Sequence, residues 1–505
     1  SKLQFVYRFI QSSDSSGARE NNVYTEPLSF NRSNTADVFF HLWDLSTIDI
    51  QAGDEVEFYF EVWDNDGVTG PKSMRSQTQV FKAPTLKEIA DKTEKSNASI
   101  KDDLKESIDQ AKQLQKELSD LTRKLMEKKE VGWEDKKKAE DLLKKEQELK
   151  KKLEEIRKQN AEKNREEQEY KKVNEDIQQK QEELQSLMDK LMTPELEKLM
   201  QELQQLMEKV DKSQLQEKLS EMKQDNKDLQ KELERMVELF KQMEFEQKFE
   251  ETLDKLNELA KAQEELSKES EKKDANADDI KAKQDSLNKQ FDEFRKEMDD
   301  LKKKNDQLEN KNDMPDTDTK EESIQEDMKN SSEQLGESKA GKASKSQKSA
   351  AQKMEQMAQQ MKQQQQQREQ EQQEEDMNAL RALLENLLRL SFDQEKLMQD
   401  LKVIDINNPQ YLKLSQQQRK LKDDAKMIED SLFALSKRVA QIASKVNQEI
   451  GAINMNMEEA MENLEDRYVP QARTRQQFVM TSVNNLTLLL SEALQQMQQQ
   501  MAQSM

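Results

Sequence analysis

In the stretch Glu57-Phe58-Tyr59-Phe60-Glu61-Val62-Trp63, every second position (58, 60 and 62) is apolar, and the positions between them are glutamates or amphipathic aromatic residues, which is typical of a β-strand. Beyond Pro84 the pattern changes to long tracts of Lys, Glu and Gln with a Leu, Ile or Met at every third or fourth position. This spacing places the apolar residues on one stripe of a helix. The sequence therefore predicts a mainly α protein with a small β region at its start.

The composition limits the class of protein. With 33% apolar and 37% charged residues, the chain is too hydrophilic for one large globular core, yet its apolar positions are too regular for disorder. Long helices packed along narrow stripes satisfy both observations. A net charge of −22 argues against nucleic-acid binding, and the absence of cysteine excludes disulfides, thiolate metal sites and thiol catalysis.

Residues 1–84 are predicted to form part of an immunoglobulin-like β-sandwich. Apolar alternation predicts strands at residues 3–9, 38–43, 56–63 and 76–81. Four or five strands are fewer than the seven or so of such a sandwich, so we expect the missing strands upstream. Asp64 and Asp66 resemble the opening of a calcium loop, but Arg75 stands where the bidentate Glu should be, and a tight turn explains the motif better.

Residues 85–308 are predicted to form long coiled-coil helices. Apolar residues step by three and four from Leu104 to Leu125, Val131-Gly132-Trp133 interrupts the pattern, and a second helix is expected from 134 to 190. Short connections favour antiparallel neighbours, so we expect a hairpin or slender bundle. A new helix is expected to begin at Thr193-Pro194.

Residues 309–350 are predicted to be a flexible polar linker because Pro, Gly, Ser and charged residues dominate them. Within them, Gly336-Glu337-Ser338-Lys339-Ala340-Gly341-Lys342 has the spacing of a phosphate-binding loop. Ala343 follows where a Ser or Thr should hold magnesium, and no apolar strand precedes. Chance similarity is the better interpretation, so no nucleotide site is predicted.

Residues 351–505 contain a Gln/Met-rich helix followed by the most apolar helices of the chain, which we expect to form a bundle. An apolar bundle after a charged helical segment is a plausible head for partner binding or self-assembly. The candidate interaction-face residues are Leu383, Leu387, Leu432, Leu435, Phe478, Leu486 and Leu490.

Two stretches carry a resemblance to a known family. Residues 52–67 (AGDEVEFYFEVWDNDG) with Gly70-Pro71-Lys72-Ser73, and residues 475–486 (RQQFVMTSVNNL), resemble an uncharacterised family of large Bacteroidota envelope proteins. The resemblance implies N-terminal membrane helices, then an immunoglobulin-like region, then long helices. It would place these residues on the periplasmic side of the cytoplasmic membrane, tethered by an upstream anchor that this chain does not contain. It supplies no catalytic residues.

No arrangement of residues indicates an enzyme, a cofactor or a catalytic metal. The leading hypothesis is a non-enzymatic, membrane-tethered periplasmic scaffold that presents an extended helical arm to protein partners or to another copy of itself. Two alternatives stay open. One is a regulatory coiled-coil subunit of an ATPase-type machine, and the other is a chaperone-like arm, for which the 25 methionines would provide an adaptable surface.

Overall fold

The computed structural model describes residues 2–12, 19–20, 22–30, 38–66, 68, 70–128, 130–171, 173–191, 198, 201–205, 212–272, 276–439, 442 and 445–504. These residues form two compact units. The first unit contains Ser1–Asp103 and Glu154–Gln178, and the second contains Leu104–Leu153 and Gln179–Met505. The predicted class, mainly α with a small β region, is confirmed.

The first unit contains one antiparallel sheet. Its strands are β1 (Lys2–Gln11), β2 (Val23–Leu28), β3 (Glu55–Trp63), β4 (Ser73–Arg75) and β5 (Gln79–Lys82). Their order is β2-β1-β3-β4, and β5 also pairs with β3. Strand β2 was not predicted, since its side chains are exposed or half-buried and give no apolar alternation. Pro27 is compatible with this edge position, where the missing N–H costs no ladder bond.

The strand predicted at residues 38–43 is wrong. Residues 38–44 have no regular secondary structure and lead into a 3₁₀ helix, Leu45–Ile48. Both edges of β1 are already occupied, by β2 and β3, so β1 offers this segment no partner. Its aromatic rings instead cover the sheet. The ring of Trp43 lies 4.9 Å from that of Phe5, and the ring of Phe39 lies 5.1 Å from that of Phe60.

Helix α1 (Leu86–Glu127) begins directly after Pro84 with a reciprocal cap. The Thr85 hydroxyl accepts a hydrogen bond from the Glu88 N–H (3.2 Å), and the Glu88 carboxylate accepts one from the Thr85 N–H (2.9 Å). This capping box satisfies two backbone donors that the helix end would otherwise leave unpaired. It fixes the boundary between the β region and the helices.

The second predicted helix is divided. The structure has α2 (Trp133–Tyr170) and α3 (Glu175–Lys190) in its place. Within the second unit, α1 and α2 run antiparallel, as the ion pair between Lys145 and Glu117 (2.6 Å) shows together with that between Lys152 and Glu106 (2.5 Å). The restart predicted at Thr193-Pro194 lies outside the described residues.

Seven further long helices in the described part of the chain form most of the second unit. They are α4 (Lys212–Ser270), α5 (Ala277–Asp306), α6 (Asp318–Gly336), α7 (Ala340–Val403), α8 (Gln410–Ser436), α9 (Lys445–Glu465) and α10 (Val469–Ser504). Helix α7 has 64 residues, and at about 1.5 Å per residue it is roughly 95 Å long. It takes part in two antiparallel four-helix bundles, one after the other.

The first bundle consists of the second half of α4, α5, α6 and the first part of α7. Its core contains Phe249, Phe294, Met328 and Met354. The second bundle consists of the last part of α7 with α8, α9 and α10, and its core contains Leu387, Leu432, Met457 and Leu486. The α4–α5 and α9–α10 pairs are antiparallel, as the ion pairs Lys255–Glu297 (2.7 Å) and Arg475–Glu459 (2.6 Å) illustrate.

The linker predicted at residues 309–350 is wrong over most of its length. Helix α6 and the start of α7 occupy it, and Ile324, Met328 and Leu335 are buried in the first bundle. These apolar residues, four and seven positions apart, form a stripe too sparse for composition to reveal. The helix is stabilised by packing, which outweighs a polar composition.

Each bundle contains one buried polar layer, to which every helix contributes one residue. The first polar layer consists of Gln263, Gln284, Ser331 and Gln347. Gln284 and Gln263 exchange hydrogen bonds of 2.8 and 3.0 Å, and the Gln284 carbonyl also accepts from Ser331 (3.2 Å) and Gln347 (3.1 Å).

The second polar layer repeats this arrangement with Gln394, Gln418, Met457 and Gln476. Gln394 and Gln418 exchange hydrogen bonds of 3.0 Å, and Gln418 also accepts from Gln476 (2.8 Å) and donates to the Met457 sulfur (3.3 Å). All four side chains are buried. The two bundles therefore share the order of their helices and the placement of one polar layer.

Candidate functional site

Six of the seven residues predicted as interaction-face candidates lie inside the protein. Their exposed fractions are at most 5%, and all six belong to the core of the second bundle: Leu383, Leu387, Leu432, Leu435, Leu486 and Leu490. The apolar stripe of each helix is covered by the other helices of the same chain. These leucines stabilise the bundle and offer nothing to a partner. Phe478 is the exception, with half of its surface exposed.

A different set of apolar residues is exposed on the second bundle, beside the seam between α7 and α10. Leu388 and Phe392 lie one turn apart on α7 with exposed fractions of 45% and 67%, and Leu488 on α10 is 65% exposed. The two helices meet nearby, where Ser391 donates a hydrogen bond to the Asn484 side chain (3.2 Å). We call Leu388, Phe392 and Leu488 the seam patch.

The sequence indicates that part of the seam patch cannot lie in the core, although the residues are apolar. Leu387 and Leu388 are adjacent, so the 100° turn of a helix per residue allows only one of them to face the core. Phe392 stands five positions after Leu387 and likewise lies off the core stripe. Isolated exposed apolar residues are common, but two on one helix face beside a third on the neighbouring helix are a candidate contact surface.

The calcium candidate forms a turn. Asp64 Oδ1 accepts hydrogen bonds from the backbone N–H groups of Asp66 (3.2 Å) and Lys72 (2.8 Å), and Asp66 Oδ1 accepts one from the N–H of Val68 (2.8 Å). Both carboxylates therefore have a local structural role. Over the described part of the chain, no group of three or more acidic or histidine side chains is arranged to hold a metal ion.

The segment with phosphate-loop spacing connects two helices. Gly336 ends α6, and α7 begins at Ala340. A phosphate-binding loop needs a strand before it and a helix after it, so that backbone N–H groups converge on the phosphates. The observed helix–turn–helix context does not match that motif.

Buried charged groups on α4 contact several neighbouring helices. The Arg235 guanidinium donates to the backbone carbonyl of Ser436 (2.7 Å), and Lys231 is paired with Glu429. Burial alone would raise the pKa of Glu429, but hydrogen bonds from Lys231, Asn454 and Lys426 outweigh it and lower that pKa to about 2. Glu429 is therefore held as a carboxylate that joins α4, α8 and α9.

Glu146 on α2 is a buried carboxyl whose pKa is raised into the neutral range. Burial raises the pKa of Glu146 to about 7, although Asn226 on α4 donates a hydrogen bond to it (2.5 Å). Asp225 and Asp228, also on α4, have pKa values that burial raises to about 6. The contact between α2 and α4 therefore depends on protonation near neutral pH.

No family model, curated protein or solved structure matches this chain. Among the helices of the described ranges, none is both long enough and apolar enough to cross a bilayer. The assignment of function consequently rests on the chemistry of the surfaces described above.

Proposed function

We propose that this chain is a non-enzymatic scaffold that binds a protein partner through the seam patch of its second bundle. The observation that carries the proposal is the exposure of Leu388, Phe392 and Leu488 beside a core that is already complete. Exposed apolar side chains gain roughly 25 cal/mol per Å² when a partner covers them. Phe392 has the largest side chain of the three and is the expected anchor of the contact.

The same proposal places the scaffold on the periplasmic side of the cytoplasmic membrane, tethered by an upstream anchor. Its support is the resemblance of residues 52–67 and 475–486 to the envelope family. Protease treatment of intact and permeabilised spheroplasts tests the location. Protection in intact spheroplasts together with digestion after permeabilisation would contradict it.

Site-specific photocrosslinking tests the contact. A photoreactive amino acid replaces Phe392 in one variant and Lys420, an exposed polar residue of α8, in the control. We expect a discrete adduct from position 392 and none of the same mass from position 420. Identical adduct patterns at the two positions, or no adduct at position 392, would refute the proposed surface.

A second copy of the chain is the alternative occupant of the seam patch, and light scattering distinguishes it. If two copies meet there, the mass of the purified chain is that of a dimer, and Phe392→Ser combined with Leu488→Ser returns it to the monomer mass of 59.3 kDa. A monomer at all concentrations assigns the surface to a different protein.

A further inference from the structure

The core stripe of α7 is interrupted between the two bundles. Met361 is buried in the first bundle, and the next apolar residue of α7 is Met377. Between them Gln364, Arg368 and Glu371 continue the spacing of three and four that elsewhere carries core residues. An open cavity of about 300 Å³ lies along this polar part of the stripe. Its wall also includes Asp313, Gln360, Gln363 and Gln367, and Lys320 donates a hydrogen bond to the Gln360 side chain.

Among the described residues that line this cavity, Arg368 is the only cation, and it forms no hydrogen bond or ion pair with the others. Its guanidinium lies over the ring of Phe245, 5.6 Å from the centroid, and the side chain is half-buried. No described residue forms a hydrogen bond or an ion pair with it. A guanidinium carries five N–H donors in a rigid fork, so leaving all of them without a protein acceptor is unusual for a partly buried arginine.

The nearby carboxylates are engaged with other groups. Glu246, which follows Phe245 on α4, is paired with Lys180, and Glu369 accepts a hydrogen bond from Gln365 (3.0 Å). Burial lowers the pKa of Arg368, while the charges of Glu246 and Glu369 act in the opposite direction and compensate part of this effect. The Phe245 ring contacts the guanidinium from one side by a cation–π interaction, and the N–H donors form no hydrogen bond with a described residue.

The rest of the wall consists of neutral amides and two carboxylates. Gln363 and Gln364 form no hydrogen bond with a described residue, and Gln367 donates to Glu371 (2.9 Å). Glu371 and Asp313 disfavour a ligand with several negative charges. A ligand with one carboxylate and several amide groups matches these donors, acceptors and charges.

We propose that this cavity binds the C-terminal end of an extended peptide. The terminal carboxylate pairs with the Arg368 fork, and the last peptide groups exchange hydrogen bonds with Gln363 and Gln364. A carboxylate accepts two parallel N–H bonds from a guanidinium, a geometry that neither an amide nor a single ammonium reproduces. The site is separate from the seam patch, so its test does not depend on whether the scaffold proposal is correct.

Calorimetric titration of the full chain at low salt tests the site with two probes. The first is N-acetylated tetra-alanine with a free C-terminal carboxylate, and the second is the same peptide with a C-terminal amide. We expect the acid to bind at least about ten-fold more tightly than the amide, since a charge-assisted pair is lost. Equal affinities for the two peptides, or no detectable binding of the acid at millimolar concentration, would overturn the proposal.

Two variants and a matched control locate the binding site. Arg368→Gln is expected to weaken binding of the acid at least about ten-fold, and Arg368→Lys to restore part of it, because an ammonium keeps the charge but not the fork. Arg381→Gln is the control, since Arg381 is exposed on the same helix and bonds to Asn378 (2.8 Å). Weakening by Arg381→Gln as large as that by Arg368→Gln would refute the assignment. If Arg368→Gln fails to fold, the comparison of acid with amide on the unaltered chain decides.

Discussion

Replacing Gln284 by Leu should destabilise the first bundle strongly, although the two side chains have similar volumes. Gln284 is fully buried and holds the first polar layer together through Gln263, Ser331 and Gln347. The substitution leaves these three partners buried without their hydrogen bonds. At about 1–3 kcal/mol for each of the three unsatisfied partners, less about 1–2 kcal/mol gained from the leucine, the expected loss lies between roughly 1 and 8 kcal/mol, with its centre at about 4 kcal/mol.

Replacing the whole polar layer should lower the stability of the first bundle much less than replacing Gln284 alone. In the combined variant Gln263→Leu, Gln284→Leu, Ser331→Ala and Gln347→Leu, no polar group is left unsatisfied in the layer. Replacing a complete buried polar network by apolar side chains is often neutral or stabilising. The fourfold variant should therefore be more stable than the single one.

Hydrogen exchange read by mass spectrometry on α5 and α6 measures the free energy of opening of this bundle without assuming that the whole chain unfolds in one step. Gln290→Leu is the matched control, because Gln290 is exposed on α5, and a surface change there should stay within about 0.5 kcal/mol. If Gln284→Leu were as mild as Gln290→Leu, or if the fourfold variant were the least stable, the layer would not function as a hydrogen-bonded network centred on Gln284.

Three further predictions address other parts of the chain. Leu387→Ala should lower the free energy of unfolding of the second bundle by about 2–5 kcal/mol, because Leu387 is buried. Leu388→Ala, one residue away and 45% exposed, should lower it by less than about 1 kcal/mol. Equal losses in a thermal melt would contradict the assigned core. The native chain keeps a proton on Glu146 between pH 4.5 and about 7 that the unfolded chain releases, so the stability of the α2–α4 contact should fall by up to roughly 3 kcal/mol as the pH rises through this window. Exchange protection of α2, corrected for intrinsic rates, measures this fall, and Glu146→Gln should reduce it, leaving the part that Asp225 and Asp228 contribute below about pH 6. A rise with pH, or an unchanged slope in the variant, would refute the cause. Thr85→Ala should lower the protection of the first turn of α1 by about 0.5–2 kcal/mol, and Ser99→Ala, a change at an exposed site of the same helix, should not.

Several features of the fold could be predicted locally. The capping box at Thr85 and the change of period beyond Pro84 locate the first helix, and the strand at Glu55–Trp63 follows from its alternating side chains. The positions that became core, such as Leu387 and Leu432, were recognisable as an apolar stripe. The sequence could not predict which helices cover these stripes, because the periodicity of a helix is the same whether it packs against its own chain or against another.

The candidate surfaces needed the tertiary structure. The apolar character of Leu388 and Phe392 is in the sequence, but only the bundle shows that the core is complete without them. Arg368 lies in a glutamine tract that resembles a solvated helix face, and its stacking on Phe245 joins residues more than a hundred positions apart.

The sequence by itself determined that the chain beyond Pro84 is mainly helical, which residues form the apolar stripes outside residues 309–350 and where the β region ends, since these depend on neighbours within a few positions. Only the tertiary structure decided that residues 38–44 cover the sheet and that most of residues 309–350 is helix. It also decided that three glutamines meet a serine in the first bundle and a methionine in the second. Each of these outcomes depends on partners distant in the chain. The free energy of packing selects among them, and local propensity does not encode it.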